Sequence, residues 1–164
     1  MKNTQSIPGA VTAVALGMLC SGIAAACEDS TILVSGYNSD NVHLYDAGDG
    51  TSLGILDPAG RIRGAQAVHK GPDGLLYVVS EKNNKILRYD RETFAFVDEF
   101  IADNPATAND ELGGMRNPTG LTFTPDGDVL VAGYSSDSVS QYSGEDGSWV
   151  RNIINAGASG LNGP

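Results

Sequence analysis

From Thr31 onward, short apolar runs alternate with polar turns in a fixed order. The runs ILVSG, LYVVS and VLVAG each lead into a polar turn (NSDN, KNNK, SSDS) and then a second run (VHLY, ILRY, VSQY). A turn rich in glycine and acidic residues follows, and after it a third run such as FAFVDEFI or SWVRNII. Each run is short and β-rich, and none sustains a period of 3.6, so the pattern predicts strands throughout and no helix.

The runs repeat. TILVSGYNSDNVHLYDAGDG, LLYVVSEKNNKILRYDRETF and DVLVAGYSSDSVSQYSGEDG align without gaps on Tyr45, Tyr89 and Tyr142, which lie 44 and 53 residues apart. A further strand precedes two of the units: AQAVHKGPDG (65–74) aligns with PTGLTFTPDG (118–127) at the same 53-residue offset. Pro-Asp-Gly is a turn with a mechanism, since Pro presets φ, Asp bonds the backbone and Gly takes positive φ. Four short antiparallel strands in about 45 residues make one blade of a β-propeller, a unit that needs neighbours to cover both its faces. The expected fold class is therefore all-β: two four-stranded blades near residues 63–101 and 116–154, a three-stranded partial blade at 31–56, and the start of a further blade at 159–164. The recurring tyrosines are read as structural.

PTGLTFTPDGDVLVAGYSSDSVSQY resembles the NHL-type blade, in which a Pro-x-Gly-Leu opening and a Pro-Asp-Gly turn lead to a Leu-Val strand and then an Asp-x-Val strand. It is equally similar to the repeats of streptogramin-lyase-like and gluconolactonase-like propellers, and the resemblance spans residues 31–164. It implies a ring of six or seven blades, on the order of 270–320 residues at about 45 per blade. The fold carries many activities, so the resemblance specifies architecture more than function.

Residues 1–26 stand outside the repeat. A basic Lys2, an apolar stretch from Val11 to Cys20 and the alanine triplet at 24–26 form the pattern of a secretory signal peptide cleaved after Ala26. The expected location is periplasmic or extracellular, with no transmembrane span once the leader is removed. Cys20 leaves with the leader, so Cys27 is alone and forms no internal disulfide. As the first mature residue Cys27 also sits where a lipoprotein carries its lipid, although Ala24 stands where a lipobox prefers a larger aliphatic residue.

All 20 acidic residues lie beyond the leader, against nine of the ten basic ones, which gives the mature chain a net charge of −11. With no basic stripe to offset it, that charge excludes nucleic acid as a partner. The 21 glycines sit singly beside Asp or Asn, as turn residues and not as a linker.

Two features of the termini bear on completeness. Pro164 aligns with Pro118, so SGLNGP reads as the lead-in to another first strand, whereas residues 27–30 leave the first unit without one. The expectation is an N-terminal portion of a longer propeller; the alternative is a short product that closes by self-association.

The propeller reading also proposes where to look for a site, at the channel mouth. The loops 36–41, 57–66, 80–85, 101–119 and 133–138 would share that rim. Arg63 and Arg116 align before the first strand and would hold a carboxylate or phosphate bidentately. Tyr37 and Tyr134 align at the end of the second strand, with Glu81 in the middle unit, and would stack on a sugar or pack on the next blade. His43 and His69 occupy non-equivalent positions, and no motif supplies either with a nucleophile or base. The paired His and Glu residues of streptogramin lyases do not map onto this chain, and the Glu-Gly-Pro opening of the gluconolactonase metal site is absent. DAGDG (46–50) and GEDG (144–147) lack the alternating carboxylates of an EF-hand and read as hairpin turns. No catalytic residue and no metal site is therefore assigned, and no cofactor is called for. The expected function is a binding or scaffold module for a small molecule, glycan or protein. The alternative is a lyase or lactonase using a divalent metal such as Ca²⁺ or Mg²⁺, with its catalytic residues in further blades.

Overall fold

The computed structural model describes residues 30–102 and 115–164. The leader at 1–26, Cys27 and most of the 101–119 loop lie outside the described residues. Within them the alternation noted above becomes eleven strands, together with two short 3₁₀ turns at Glu81–Asn83 and Ala158–Gly160. The strands are β1 (Thr31–Gly36), β2 (Asn41–Asp46) and β3 (Ser52–Ile55); β4 (Ala65–Lys70), β5 (Leu76–Ser80), β6 (Lys85–Tyr89) and β7 (Phe96–Ala102); then β8 (Pro118–Phe123), β9 (Val129–Gly133), β10 (Ser138–Tyr142) and β11 (Trp149–Ile154).

They form three antiparallel sheets whose strands are ordered as in the chain: β1-β2-β3, β4-β5-β6-β7 and β8-β9-β10-β11. These are propeller blades, two complete and the first with three strands. The repeat register holds to the residue, since Tyr45 faces Ile32, Tyr89 faces Leu76 and Tyr142 faces Val129 across the second and third strands of each blade. The Pro-Asp-Gly segments form the expected turns: Gly74 donates its amide to the Gly71 carbonyl at 3.0 Å, and Gly127 donates to Thr124 at 3.0 Å.

The core lies between blades. One apolar layer joins Val42, Leu44 and Leu56 of the first blade to Ala65, Val78, Leu87 and Tyr89 of the second. The other joins Tyr77, Val79, Ile86 and Phe100 of the second to Leu121, Val131 and Tyr142 of the third. Tyr77 seats its ring edge-on between Phe100 and Phe123 at 5.4 and 5.0 Å between centroids, a favoured aromatic geometry. In the second blade, β5 and β6 thus give alternate side chains to the blade before and the blade after, Leu76, Val78, Leu87 and Tyr89 to the first and Tyr77, Val79 and Ile86 to the third, which is why that sheet is apolar on both faces. Tyr89 carries a cost: its buried hydroxyl has no hydrogen-bond partner among the described residues, and burial raises its pKa above the ordinary phenol range.

Candidate ligand-binding rim

Each turn between a second and third strand is tied to the lead-in that follows its blade, by a device used three times. Asp40, Asn84 and Asp137 are equivalent residues in the turn between the second and third strands, and all three take positive φ near 50° (52, 53 and 49°). From that conformation each side chain reaches the next lead-in. Asp40 Oδ1 accepts the Gly64 amide at 2.7 Å, Asn84 Oδ1 the Asn117 amide at 2.8 Å, and Asp137 Oδ1 the Gly163 amide at 2.7 Å. Asx side chains suit both roles, because they tolerate the left-handed region and present a short acceptor. Residues 161–164 therefore occupy a lead-in position like those before β4 and β8, and Thr119 Oγ1 donates to the Pro164 carbonyl at 2.7 Å.

A second element of the junction varies in a matched way. Tyr37 and Tyr134 lie over the positive-φ glycines Gly64 and Gly163, where an added Cβ would come within 3.0 and 2.7 Å of the tyrosine Cε2. In the middle blade Glu81 replaces the tyrosine and Asn117 replaces the glycine, and the two side chains meet at 3.5 Å. Glu81 is buried and also accepts a hydrogen bond from Gln66 Nε2. Both tyrosines remain exposed while packing on these glycines.

Lys82 reinforces the first junction. Its ammonium bonds Asp40 Oδ1 at 2.8 Å and the Tyr37 carbonyl at 3.0 Å, and lies 4.4 Å from the centre of the Tyr37 ring. The Lys82 hydrogen bond, and after it the Gly64 amide, hold the Asp40 carboxyl below the ordinary carboxylate range.

Arg63 and Arg116 stand at equivalent points of this rim, both exposed. Their backbones are fixed alike: the Lys82 amide donates to the Arg63 carbonyl at 3.0 Å and the Ser135 amide to the Arg116 carbonyl at 3.1 Å. Arg61, close by in sequence, is employed differently. Its guanidinium pairs with buried Asp57 at 2.9 Å and lies 4.2 Å over Phe96, locking the 57–62 segment. The two arginines thus occupy equivalent lead-in positions on successive blades, Arg63 next to the Gly64 that Tyr37 covers and Arg116 next to the Asn117 that Glu81 meets.

Other candidates take structural positions. His43 meets Ser39 Oγ at 2.8 Å, yet Ser39 is also within 3.2 Å of the Gly36 carbonyl, a bond that Ser136 repeats to Gly133 where no histidine stands. His69 lies exposed opposite Tyr77 in the β4–β5 ladder. In DAGDG, Asp46 accepts the amides of Gly48 and Asp49, and in GEDG Asp146 accepts from Ser148. These are hairpin bonds; in the same turns Thr51 holds the Asp49 carboxyl, and Ser148 the Asp146 carboxyl, below the ordinary range. Among the described residues no cluster of three potential metal-ligating side chains occurs. No helix among them is long and apolar enough to cross a membrane.

Sequence reasoning passed over two features. The first is the Asp40/Asn84/Asp137 series, whose signal was the shared Asx at the same offset in NSDN, KNNK and SSDS. The second is a cavity of about 790 Å³ at the opposite end of the first blade junction, lined by Thr31, Leu33, Leu76, Arg91, Glu92 and Phe94 among others. One of its lining residues, Leu33, stands where the second blade has the larger Tyr77, a difference visible in the aligned repeats.

No protein-family profile and no curated protein sequence matches the chain. Solved structures do. The chain is similar to Kuenenia stuttgartiensis hydrazine synthase (20% identity, TM-score 0.58), over 82% of this chain and 34% of that one. It is likewise similar to virginiamycin B lyase from Staphylococcus aureus (17% identity, TM-score 0.55), over 79% of this chain and 40% of that one. The chain therefore spans well under half the length of either, and what it shares with them is the propeller-like fold.

Proposed function

We propose that the chain forms part of an exported, NHL-like propeller that binds a small-molecule, glycan or protein ligand at the rim carrying Arg63 and Arg116. The observation that supports this reading is the repetition of those arginines on successive blades, each on a lead-in whose backbone is held by the Asx bond and the strand-end amide. Exposed guanidiniums, with a tyrosine face at the Arg63 lead-in, suit an anionic or sugar-like ligand: the fork pairs with a carboxylate or phosphate, and the ring stacks on an apolar face. The chemistry is recognition, with no bond made or broken.

Binding of short uronate oligosaccharides and of inorganic phosphate, measured by calorimetry, tests this. The native chain should bind one of these probes, and the Arg63→Ala/Arg116→Ala variant should bind it at least about 10-fold more weakly. Equal affinity in the variant, or metal-dependent turnover of the probe, would overturn the reading.

A further inference from the structure

Within each blade one ladder is regular and the outer one is not. β1 pairs with β2, β5 with β6 and β9 with β10 residue for residue. Where the last strand of a blade pairs with the strand before it, the register slips by one residue at the same place. Tyr45 faces Ser52 while Leu44 faces Gly54, Tyr89 faces Phe96 while Arg88 faces Asp98, and Tyr142 faces Trp149 while Gln141 faces Arg151. The residues passed over are Leu53, Val97 and Val150, equivalent positions 44 and 53 residues apart. Each is the extra residue of a β-bulge.

Packing does not account for these bulges. Leu53, Val97 and Val150 are 53%, 45% and 46% exposed. β7 shows the contrast within one strand: its second slip passes over Phe100, which is buried against the third blade, so that bulge turns a side chain inward. The neighbours of the exposed bulge vary widely, from Ser52 to Phe96 to Trp149 before it and from Gly54 to Asp98 to Arg151 after it. What the three blades share is the break in the ladder. It falls on strands that, among the described residues, pair on one side only. The edge strands at the other side are broken as well, since β4 carries an extra residue between Ala65 and Val68, and β8 passes over Thr119. β1 is equivalent to the inner strands β5 and β9, and it is regular like them.

A flat strand edge presents a row of amides and carbonyls to which a strand of another molecule can add, and a bulge twists that edge and interrupts the row. We propose that the bulges at Leu53, Val97 and Val150 are edge guards, which stop a strand of a second chain from adding to the outer side of each blade. The two slips in β7 leave only Asp98 and Glu99 in regular register between them, and those in β11 leave only Arg151 and Asn152. A run that short gives an incoming strand too few consecutive bonds to offset the entropy of ordering it.

Deleting Leu53, Val97 or Val150, one at a time, removes the extra residue, whereas Val97→Ser keeps the bulge and removes only its aliphatic side chain. Sedimentation through a dilution series reads association, circular dichroism reads the fold, and amide hydrogen exchange locates the contact. Each deletion variant should keep its strands and associate at a concentration at least about 10-fold below that of the native chain. It should also gain exchange protection along the altered outer strand. Val97→Ser should match the native chain. Deletions that fold and stay as dispersed as the native chain, association that Val97→Ser also produces, or protection gained elsewhere would overturn the proposal. So would three deletions that all fail to fold, since the bulges would then be required by the blade itself.

Discussion

Val34 and Val78 are the same residue at the same place in two successive blades, yet Val34 is 44% exposed and Val78 is fully buried. The contrast extends to the tyrosines, since Tyr89 and Tyr142 are buried while Tyr45 is only partly covered. Nothing local separates these positions, because each sits on a second or third strand in the same register. Burial here is a property of the junction and not of the blade. A propeller blade is apolar on both sides because it is written for two neighbours, and the described residues supply the first blade with one.

The sharpest way to break this comparison is to truncate both valines. Val78→Ala should destabilise the chain by about 2 kcal/mol, the transfer and cavity cost of a buried aliphatic group. Val34→Ala should change stability by less than about 0.5 kcal/mol in dilute solution. Chemical denaturation followed by tryptophan fluorescence reads both. Equal losses at low concentration would mean that the first blade's outer face is already covered within one chain.

The matched pairs at the rim offer the next largest effect. Glu81→Tyr should cost about 1–2 kcal/mol, because the ring meets Asn117 in place of a glycine and Gln66 loses its acceptor. Adding Asn117→Gly should restore a substantial part of that loss. Additive effects in the double variant would show that the Tyr/Gly and Glu/Asn combinations are independent choices.

Asp40 comes third. Asp40→Asn should be milder than Asp40→Ala in thermal unfolding, since Asn84 shows that an amide makes the same bond to the next lead-in. The pH dependence has a definite sign. Because Lys82 and the Gly64 amide lower the folded pKa of Asp40, its contribution is present above the unfolded value, near pH 4, and fades as pH falls below it. Asp40→Asn should flatten that part of the profile; an unchanged profile would remove Asp40 from the acid response.

The smallest change is Tyr89→Phe. It deletes a buried hydroxyl that has no partner among the described residues, so stability should hold or rise by up to about 1 kcal/mol. A clear loss would reveal a partner for that oxygen.

The strands, their order and the incomplete first blade were legible because period-two alternation and the aligned tyrosines report backbone pairing directly. The Pro-Asp-Gly turns were legible for the same local reason. The equivalence of Arg63 and Arg116 as lead-in residues followed from the alignment alone, but the difference between Arg63 and Arg61 did not. Only the fold brings Asp57 and Phe96 to Arg61. Glu81 was visible as the odd residue among tyrosines, yet its burial depends on Gln66 and Asn117, 15 and 36 residues away. The ligand is not legible in either description, since exposed guanidiniums specify a class of charge and not a molecule.

The Asx bonds between blades have a bearing on how the chain folds. They span 24, 33 and 26 residues, and the apolar layers likewise connect each blade to its immediate neighbour. Loop-closure entropy grows slowly with length, so junctions this short in sequence form without a search across the whole chain. Folding can then advance one blade at a time, each finished sheet serving as the template on which the next segment condenses.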